Sequence, residues 1–544
     1  MHLLQSICRF RLTAPPKQSP MKSKQRRYIY FVVFISGMTS LAIEFSASRL
    51  LGSVFGTSNL VWASIIGLIL IYLTLGYYLG GRLADRKPFL ENFYIILLWG
   101  AFTTGLTPLA ARPLLRLAAQ AFDELTLGAL FGSFAVVLIL FIIPVTLIGT
   151  VSPYAIRLLI DDQATAGKIS GQVYAISTLG SFLGAFLPVL LMIPLIGTSR
   201  TFLFFGCLLL VVSLLGMYLS VGWKAAFRWV WMALVMVLIY VYGLRGPIKQ
   251  TSGQIYETES AYNYIQVLEK DGYRYLRLNE GQGIHSIWHP SQLDFQGPWE
   301  QFLVAPFFNY PDQQPFKPEN VKSVAIVGLA AGTAARQVTA VFGAIPIDGF
   351  EIDPKIIQVG RIYFDMNELN LNAIPRDGRW GLDQSQKKYS IICIDAYRPP
   401  YIPWHLTTRE FFTIVRQHLE EEGVMVINVG RAPDDRRLID GLVGTIKTVF
   451  PSVYIMDVPD TFNSIVYATI QPTGITNLYH NLLYLYTRQD VNPLLVRAIE
   501  RMIVNQQPVP MSQTIFTDDL SPVEWITNSL VLNFILSKNM EQLK

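Results

Sequence analysis

The sequence predicts two halves of different class. A multi-pass α-helical membrane domain comes first, and an α/β domain on a doubly covered, largely parallel sheet follows, introduced by a small antiparallel β unit. Three observations predict it. Of 544 residues, 51% are hydrophobic and 15% charged, with a mean hydropathy of +0.35, too apolar for an ordinary soluble enzyme and long enough for two domains. The apolarity is uneven: long blocks run from about Tyr28 to Leu244, whereas from about Pro247 onward apolar residues alternate with charge. In that second part, "VAIVGLAAGTAARQVTAVFGAIPIDGFEIDPKII" (Val324–Ile357) reads as a strand, a small-residue turn, a helix and a second strand ending in an acidic residue. That order usually holds an adenosine group at the turn.

A spanning helix needs about 20 mostly apolar residues, because unpaired backbone groups do not survive in hydrocarbon. Seven stretches qualify, at roughly 28–50, 58–81, 92–110, 127–150, 171–196, 201–221 and 227–244. The first is too long for a removable signal peptide and lacks a small-residue cleavage site. Glycines in "LTLGYYLGG" and "STLGSFLGAF" suit close helix packing. Residues 1–27 carry seven basic side chains and no acidic one, so the N-terminus is expected in the cytoplasm of a plasma (inner) membrane, against anionic lipid. Arg82, Arg86, Lys87, Arg157, Lys168, Lys224 and Arg228 then fall on the same side, and Arg49, Arg112, Arg116 and Arg200 on the other. An odd span count places the soluble half outside, in conflict with adenosyl compounds being made inside, so its side stays open. "GGRLADRK" resembles the loop after the second helix of major-facilitator transporters, but a charged cytoplasmic turn accounts for it. Glu44 lies inside a span, where a carboxylate is costly; either it is functional or it pairs with Arg49 near the surface.

The soluble half opens on "YIQVLEKDGYRYLRL", alternating on both sides of Asp271-Gly272, a hairpin with a type I′ turn. After the Pro-rich "YPDQQPFKPEN", strands are expected at Ser323–Val327, Ile347–Glu351, Ser390–Ile394, Val424–Val429, Val453–Asp457 and Ile465–Ile470, with a further strand ending at "RDGR". Helices are expected at about 332–343, 354–366, 407–420 and 434–449. Continuous apolar runs such as "SIICID" suit a sheet covered on both faces, with ligands at the carboxyl strand ends. Gly328 and Gly332 let backbone approach a ligand. Glu351, 23 residues beyond Gly328, is placed to accept both hydroxyls of a ribose diol. Asp377, in "RDGR", is placed for an adenine amino group. Asp395 ends the fourth strand over the site, as a base or amine holder, or else as a loop-bracing carboxylate.

Other chemistry finds no support. Cys8, Cys207 and Cys393 have neither CxxC nor CxxH spacing, so no disulfide framework or metal site is expected. His285 and His289 read as loop histidines. No basic stripe with interleaved aromatics argues for nucleic acid.

In order, "ETESAYNYIQV", "LRLNEGQG", "VGLAAGT", "FEIDP", "RDG", "IDAY" and "HLTTREFF" resemble the spermidine synthases, and "SGMTSLAIEFSASRLLGSVFGTS" with "GGRLADR" resembles the helical part of their membrane-fused members. The resemblance covers nearly the whole chain. It implies a Rossmann-like, methyltransferase-type domain that binds decarboxylated S-adenosylmethionine, or S-adenosylmethionine, as co-substrate and transfers an aminopropyl group to an amine in polyamine biosynthesis. It places Gln282, Gly328, Gly332, Glu351 and Asp377 on the nucleoside and Asp395 in the catalytic position. The implied organisation is a basic tail (1–27), a transmembrane domain (28–246), a β-hairpin domain (247–310), the Rossmann-like domain (321–475) and a C-terminal helical extension (476–544).

This chain departs from the family at the amine. The usual Gly-Gly-Gly-Asp-Gly is "GLAAG", with Ala331 in the Asp position. Asp-Ser-Ser-Asp-Pro is "DAYRP", with Arg398 where the base is usually assigned. Tyr-His-Glu is "PWE", keeping only Glu300. A cation beside a diammonium substrate costs about 1 kcal/mol or more at surface-like dielectric. The expected acceptor is therefore a small molecule or peptide other than putrescine. The other reading is a non-catalytic nucleoside-binding sensor or a transporter. A homo-oligomer stays open.

Overall fold

Apolar sequence has one way to satisfy its backbone without water, and the described residues between 23 and 243 take it: helix after helix. The computed structural model describes residues 21–55, 59–123, 139–244, 246, 248–249, 251–279, 283–396, 402–432, 435–527 and 529. Among these, seven helices are long and apolar enough to cross a membrane: Ser23–Gly52, Trp62–Arg86, Leu90–Arg116, Ile142–Leu159, Gln163–Ile196, Thr198–Ser220 and Trp223–Gly243. The fourth was expected at 127–150, of which 127–138 lies outside the described residues. Its observed helix continues to Leu159 because Pro153 falls in the first turn of Val151–Leu159, where a missing N–H is tolerated.

The glycines work as expected. A Cβ on Gly180 would lie 2.0 Å from the Phe34 carbonyl oxygen, and one on Gly184 would lie 2.1 Å from that of Met38. The first and fifth helices therefore touch backbone to backbone. Gly76 and Gly80 do the same for the second helix against Thr146 and Thr150.

Charged groups mark the two ends of the bundle. At one end Arg26 pairs with Asp161, and Arg157 Nε lies 3.1 Å from Asp85. At the other, Arg112 donates to the carbonyls of Gly243 (3.1 Å) and Leu244 (2.9 Å). There too, Arg49 donates to the carbonyls of Ser260 and Tyr262, the latter at 2.9 Å. The Thr198 N–H and hydroxyl donate to Glu259 at 2.6 and 2.9 Å. Arg49 is thus committed to the soluble half and, among the described residues, forms no ion pair with Glu44. The soluble half docks on the end opposite Arg26.

That half begins with a four-stranded antiparallel meander, β1 (Gln254–Glu259), β2 (Tyr264–Lys270), β3 (Tyr273–Leu278) and β4 (Ile284–Trp288). The β2–β3 turn has φ +53° at Asp271 and +83° at Gly272, the positive pair a type I′ turn requires. A second sheet holds β5 (Val324–Val327), β6 (Ile347–Glu351), β7 (Leu371–Pro375), β8 (Tyr389–Ile394), β9 (Leu419–Gly430), β10 (Ser452–Asp457), β11 (Asn463–Thr469) and β12 (Gln506–Gln507). Their order is β12-β10-β11-β9-β8-β5-β6-β7. β5 to β9 pair in parallel; β11 runs antiparallel to β9 and β10. Helices cover both faces, so the parallel strands read as unbroken apolar runs. The C-terminal helices Ile475–Tyr486 and Pro493–Val504 pack on one face through Leu478, Leu485, Leu495 and Ile499.

Candidate nucleoside and transfer site

Because β5, β6, β7 and β8 are parallel, their carboxyl ends lie along one edge of the sheet. The chain leaves β5 toward β6 on one side, while β8 lies on the other. Gly328 sits at that divergence with φ +92°, and a Cβ there would stand 2.5 Å from the Ala396 nitrogen. Only glycine lets the β5 turn touch the end of β8. Gly332, φ +88°, starts the helix Thr333–Phe342 and lies against Met366.

Glu351 ends β6 and turns back over the loop between those glycines. One carboxylate oxygen accepts the Ala330 N–H at 2.9 Å; the other accepts the Asp353 N–H at 3.0 Å. Burial pushes the carboxyl up to about 7, against the pull of those two N–H donors. Each oxygen keeps a second acceptor direction for a diol. The next residue, Ile352, is 42% exposed, and Trp380 is 54% exposed. Apolar surface left open beside the Gly328–Gly332 loop suits the face of a planar ring. Neither residue was picked out by spacing, because exposure is a property of the fold.

Asp377 follows β7 and caps the helix Gly378–Asp383, accepting the Trp380 N–H at 3.0 Å, while its other oxygen lies 3.2 Å from His405 Nε2. The His405 bond holds its carboxyl below the usual range. Asp377 is therefore fixed at the same edge, with both oxygens already engaged.

Asp395 extends from β8. Its oxygens accept the Trp299 indole N–H at 3.0 Å and the Asn428 amide at 2.9 Å. Burial still pushes the carboxyl up to about 7. A carboxylate held by two neutral donors and poised near neutrality is suited to proton transfer. Trp299, which the sequence marked as a departure, supplies one of those donors; Asn428, on β9, had no sequence signal. Glu300 instead braces the preceding loop, accepting the N–H groups of Phe295 and Gly297 at 2.9 Å each and the Gln337 amide at 2.7 Å.

Ala331 explains its own identity. It is buried with Ile265, Val267, Leu276 and Ile356, and its N–H donates to Ser286 of β4 at 2.9 Å. A carboxylate there would enter an apolar seam between the β unit and the large sheet, at a cost of several kcal/mol. Gln282 and Arg398 lie outside the described residues. His289 is occupied by the N–H groups of Ser291 and Gln292, and among the described residues no cluster of three metal-ligating side chains occurs.

The structure thus brings Gly328, Gly332, Glu351, Asp377 and Asp395 to one edge. Comparison with known proteins adds the lineage. Residues 312–477 match the spermine/spermidine synthase domain. A probable polyamine aminopropyl transferase of Bifidobacterium longum is 31% identical over 283 residues, 49% of this chain and 61% of that protein. The chain therefore spans about three fifths of that relative's length. A polyamine aminopropyltransferase of Oceanobacillus iheyensis is 22% identical over 74% of this chain and 78% of its own length. That share exceeds what residues 247–544 supply, so the similarity runs into the apolar half. Among solved structures, a probable spermidine synthase from Corynebacterium glutamicum is 17% identical with a TM-score of 0.37, covering 44% of this chain and 88% of that one. Residues 312–477 thus form a spermine/spermidine synthase-type domain, with a multi-helix apolar half in front of it.

Proposed function

We propose that the soluble half binds an adenosyl nucleoside of the S-adenosylmethionine type, decarboxylated or not, and transfers its aminopropyl or a related group to an acceptor other than putrescine. The observation that carries this is Glu351, folded onto the Gly328–Gly332 loop with acceptor capacity to spare, with β5 standing between its strand and the one that Asp395 follows. When bound, the nucleoside supplies a sulfonium, a neutral leaving group once its C–S bond breaks. The chain's own part is positioning and proton transfer. Glu351 holds the sugar. Glu351, Asp377 and Asp395 set a negative field for a cationic ligand. Asp395, ionised, takes the proton that the acceptor nitrogen loses as its lone pair forms the new N–C bond. The buried Ala331 favours an acceptor different from the family's diamine.

Titration calorimetry with S-adenosylmethionine and its decarboxylated form tests the reading. Binding of at least one is expected, with affinity falling about 10- to 100-fold in Glu351→Gln, since a charged hydrogen-bond acceptor is lost and an amide N–H is turned toward backbone donors. Affinity should also rise as pH passes through about 7, where Glu351 ionises. Binding of neither form would sink the reading. Binding without turnover on any amine or carboxylate acceptor would favour a nucleoside sensor.

From the distribution of basic residues, and apart from the nucleoside reading, we propose that the N-terminus lies in the cytoplasm and the soluble half across the membrane. The basic groups near Arg26, Lys87 and Arg157 gather at one end of the bundle, and the soluble half sits at the other. A reporter fused after Lys544 should be silent in the cytoplasm; a cytoplasmic signal would overturn this orientation.

A further inference from the structure

One loop joins the membrane helices to the nucleoside site. Residues 260–263, between β1 and β2, are gripped from the membrane side by Arg49, whose guanidinium donates to the carbonyls of Ser260 and Tyr262. The loop is folded on itself: the Ser260 hydroxyl oxygen accepts the N–H groups of Tyr262 (3.1 Å) and Asn263 (2.9 Å), and the Ser260 N–H donates to the Asn263 carbonyl at 2.8 Å. A shift at one end therefore moves the whole loop.

From the soluble side Ser260 and Asn263 of this loop grip Asp353. The Ser260 hydroxyl donates to one Asp353 carboxylate oxygen at 2.5 Å, and the Asn263 amide donates to that oxygen at 3.0 Å. The other Asp353 oxygen caps the helix Pro354–Tyr363 through the Lys355 N–H at 3.0 Å, and the Asp353 N–H donates to Glu351. Asp353 is fully buried, and Ser260, Asn263 and Glu351 are each more than nine-tenths buried. Water has little room to replace the links from Ser260 and Asn263 through Asp353 to Glu351, so each of those bonds constrains the next.

We propose that Arg49 is a positioning residue for the nucleoside site. The end of the first membrane helix sets the orientation of Glu351 through Ser260, Asn263 and Asp353, so that movement of that helix is read as nucleoside affinity. This rests on the nucleoside reading of Glu351 for its consequence, though not for its mechanics. It also gives the helices a role that needs no transport: they hold one wall of the site. A cavity of about 200 Å³, lined by Phe45, Arg49, Trp62, Ala261 and Asn279, lies against this loop and leaves the joint room to move.

Amide hydrogen exchange on the full-length protein in lipid nanodiscs tests the relay without any ligand. Arg49→Gln should speed exchange of the Ala330 and Asp353 amides, the two that Glu351 binds, by about tenfold. Arg49→Lys, which keeps the charge but loses the planar fork, should recover part of it. Arg157→Gln, at the far end of the bundle, should leave both amides unchanged. Combining Arg49→Gln with Asp353→Asn should add little to either alone, as expected for one chain of contacts. Unchanged exchange in Arg49→Gln, or additive effects, would overturn the proposal. Nucleoside titration supplies the second readout. Weaker binding in Arg49→Gln supports the coupling, and wild-type affinity there contradicts it. A wild-type protein that binds no nucleoside refutes the proposed function, while the exchange data still decide the relay.

Discussion

Replacing Asp395 by Asn is expected to lower the rate of group transfer by about 10²- to 10⁴-fold while leaving nucleoside affinity within a few-fold of wild type. The amide keeps the size of the side chain. It loses the capacity to take a proton, and one of its ends presents N–H to either the Trp299 indole or the Asn428 amide, both donors. The pH dependence gives the sharper reading. Burial raises this carboxyl to about 7, so the base is protonated in acid and the transfer rate should climb with pH through about 7. The Asn variant should lose that inflexion. Stability moves in the opposite sense. A folded-state carboxyl raised above its unfolded value stabilises the fold fully below the ordinary carboxylate range, and that contribution fades as pH rises through about 7. The wild-type protein should therefore lose stability relative to Asp395→Asn between about pH 4 and pH 7, measurable by thermal melts at stepped pH. An activity profile flat across neutrality would remove Asp395 from the proton's path.

Gly328→Val should be the most damaging single change in the soluble half, destabilising it by about 3–5 kcal/mol. Two costs combine. Holding a β-branched residue at φ +92° is strained by about 1–3 kcal/mol. Its Cβ would also stand 2.5–2.6 Å from the backbone of Asp395 and Ala396, atoms that cannot swing aside as a side-chain tip could. To relieve the overlap, β5 and β8 would have to part at their carboxyl ends, where Glu351 bonds the β5 loop and Asp395 follows β8. Urea unfolding would show the loss directly. A variant that melted like wild type would mean that the close approach of these strand ends is not needed by the fold. Gly332→Ala should be milder, because its Cβ meets the flexible Met366 side chain rather than backbone.

Much of this architecture is local information. Hydropathy alone located seven helices, since backbone in an apolar block must bond to itself. The strand over Ile347–Glu351 was read to the residue, and most others within one to three, because a sheet covered on both faces writes each strand as an unbroken apolar run between turns. β9 was the exception, starting at Leu419 rather than Val424: the charged Glu420–Glu422 hid its first half. Spacing also placed Gly328, Glu351, Asp377 and Asp395 at strand ends, and parallel strands carry such ends to one edge whatever the rest of the chain does.

What the sequence could not decide was which groups meet across long separations in the chain. Trp299 and Asn428 reach Asp395 from 96 and 33 residues away, and Arg49 reaches Ser260 across 211. No periodicity encodes such pairings; they exist only once two sheets and a helix bundle have packed. Burial is collective in the same way. Whether Ala331 faces a cleft or an apolar seam, and whether a carboxyl titrates near 4 or near 7, depends on how much water the surrounding elements exclude together. The strand ends were therefore set by the order of residues, and the chemistry at those ends by the packing around them.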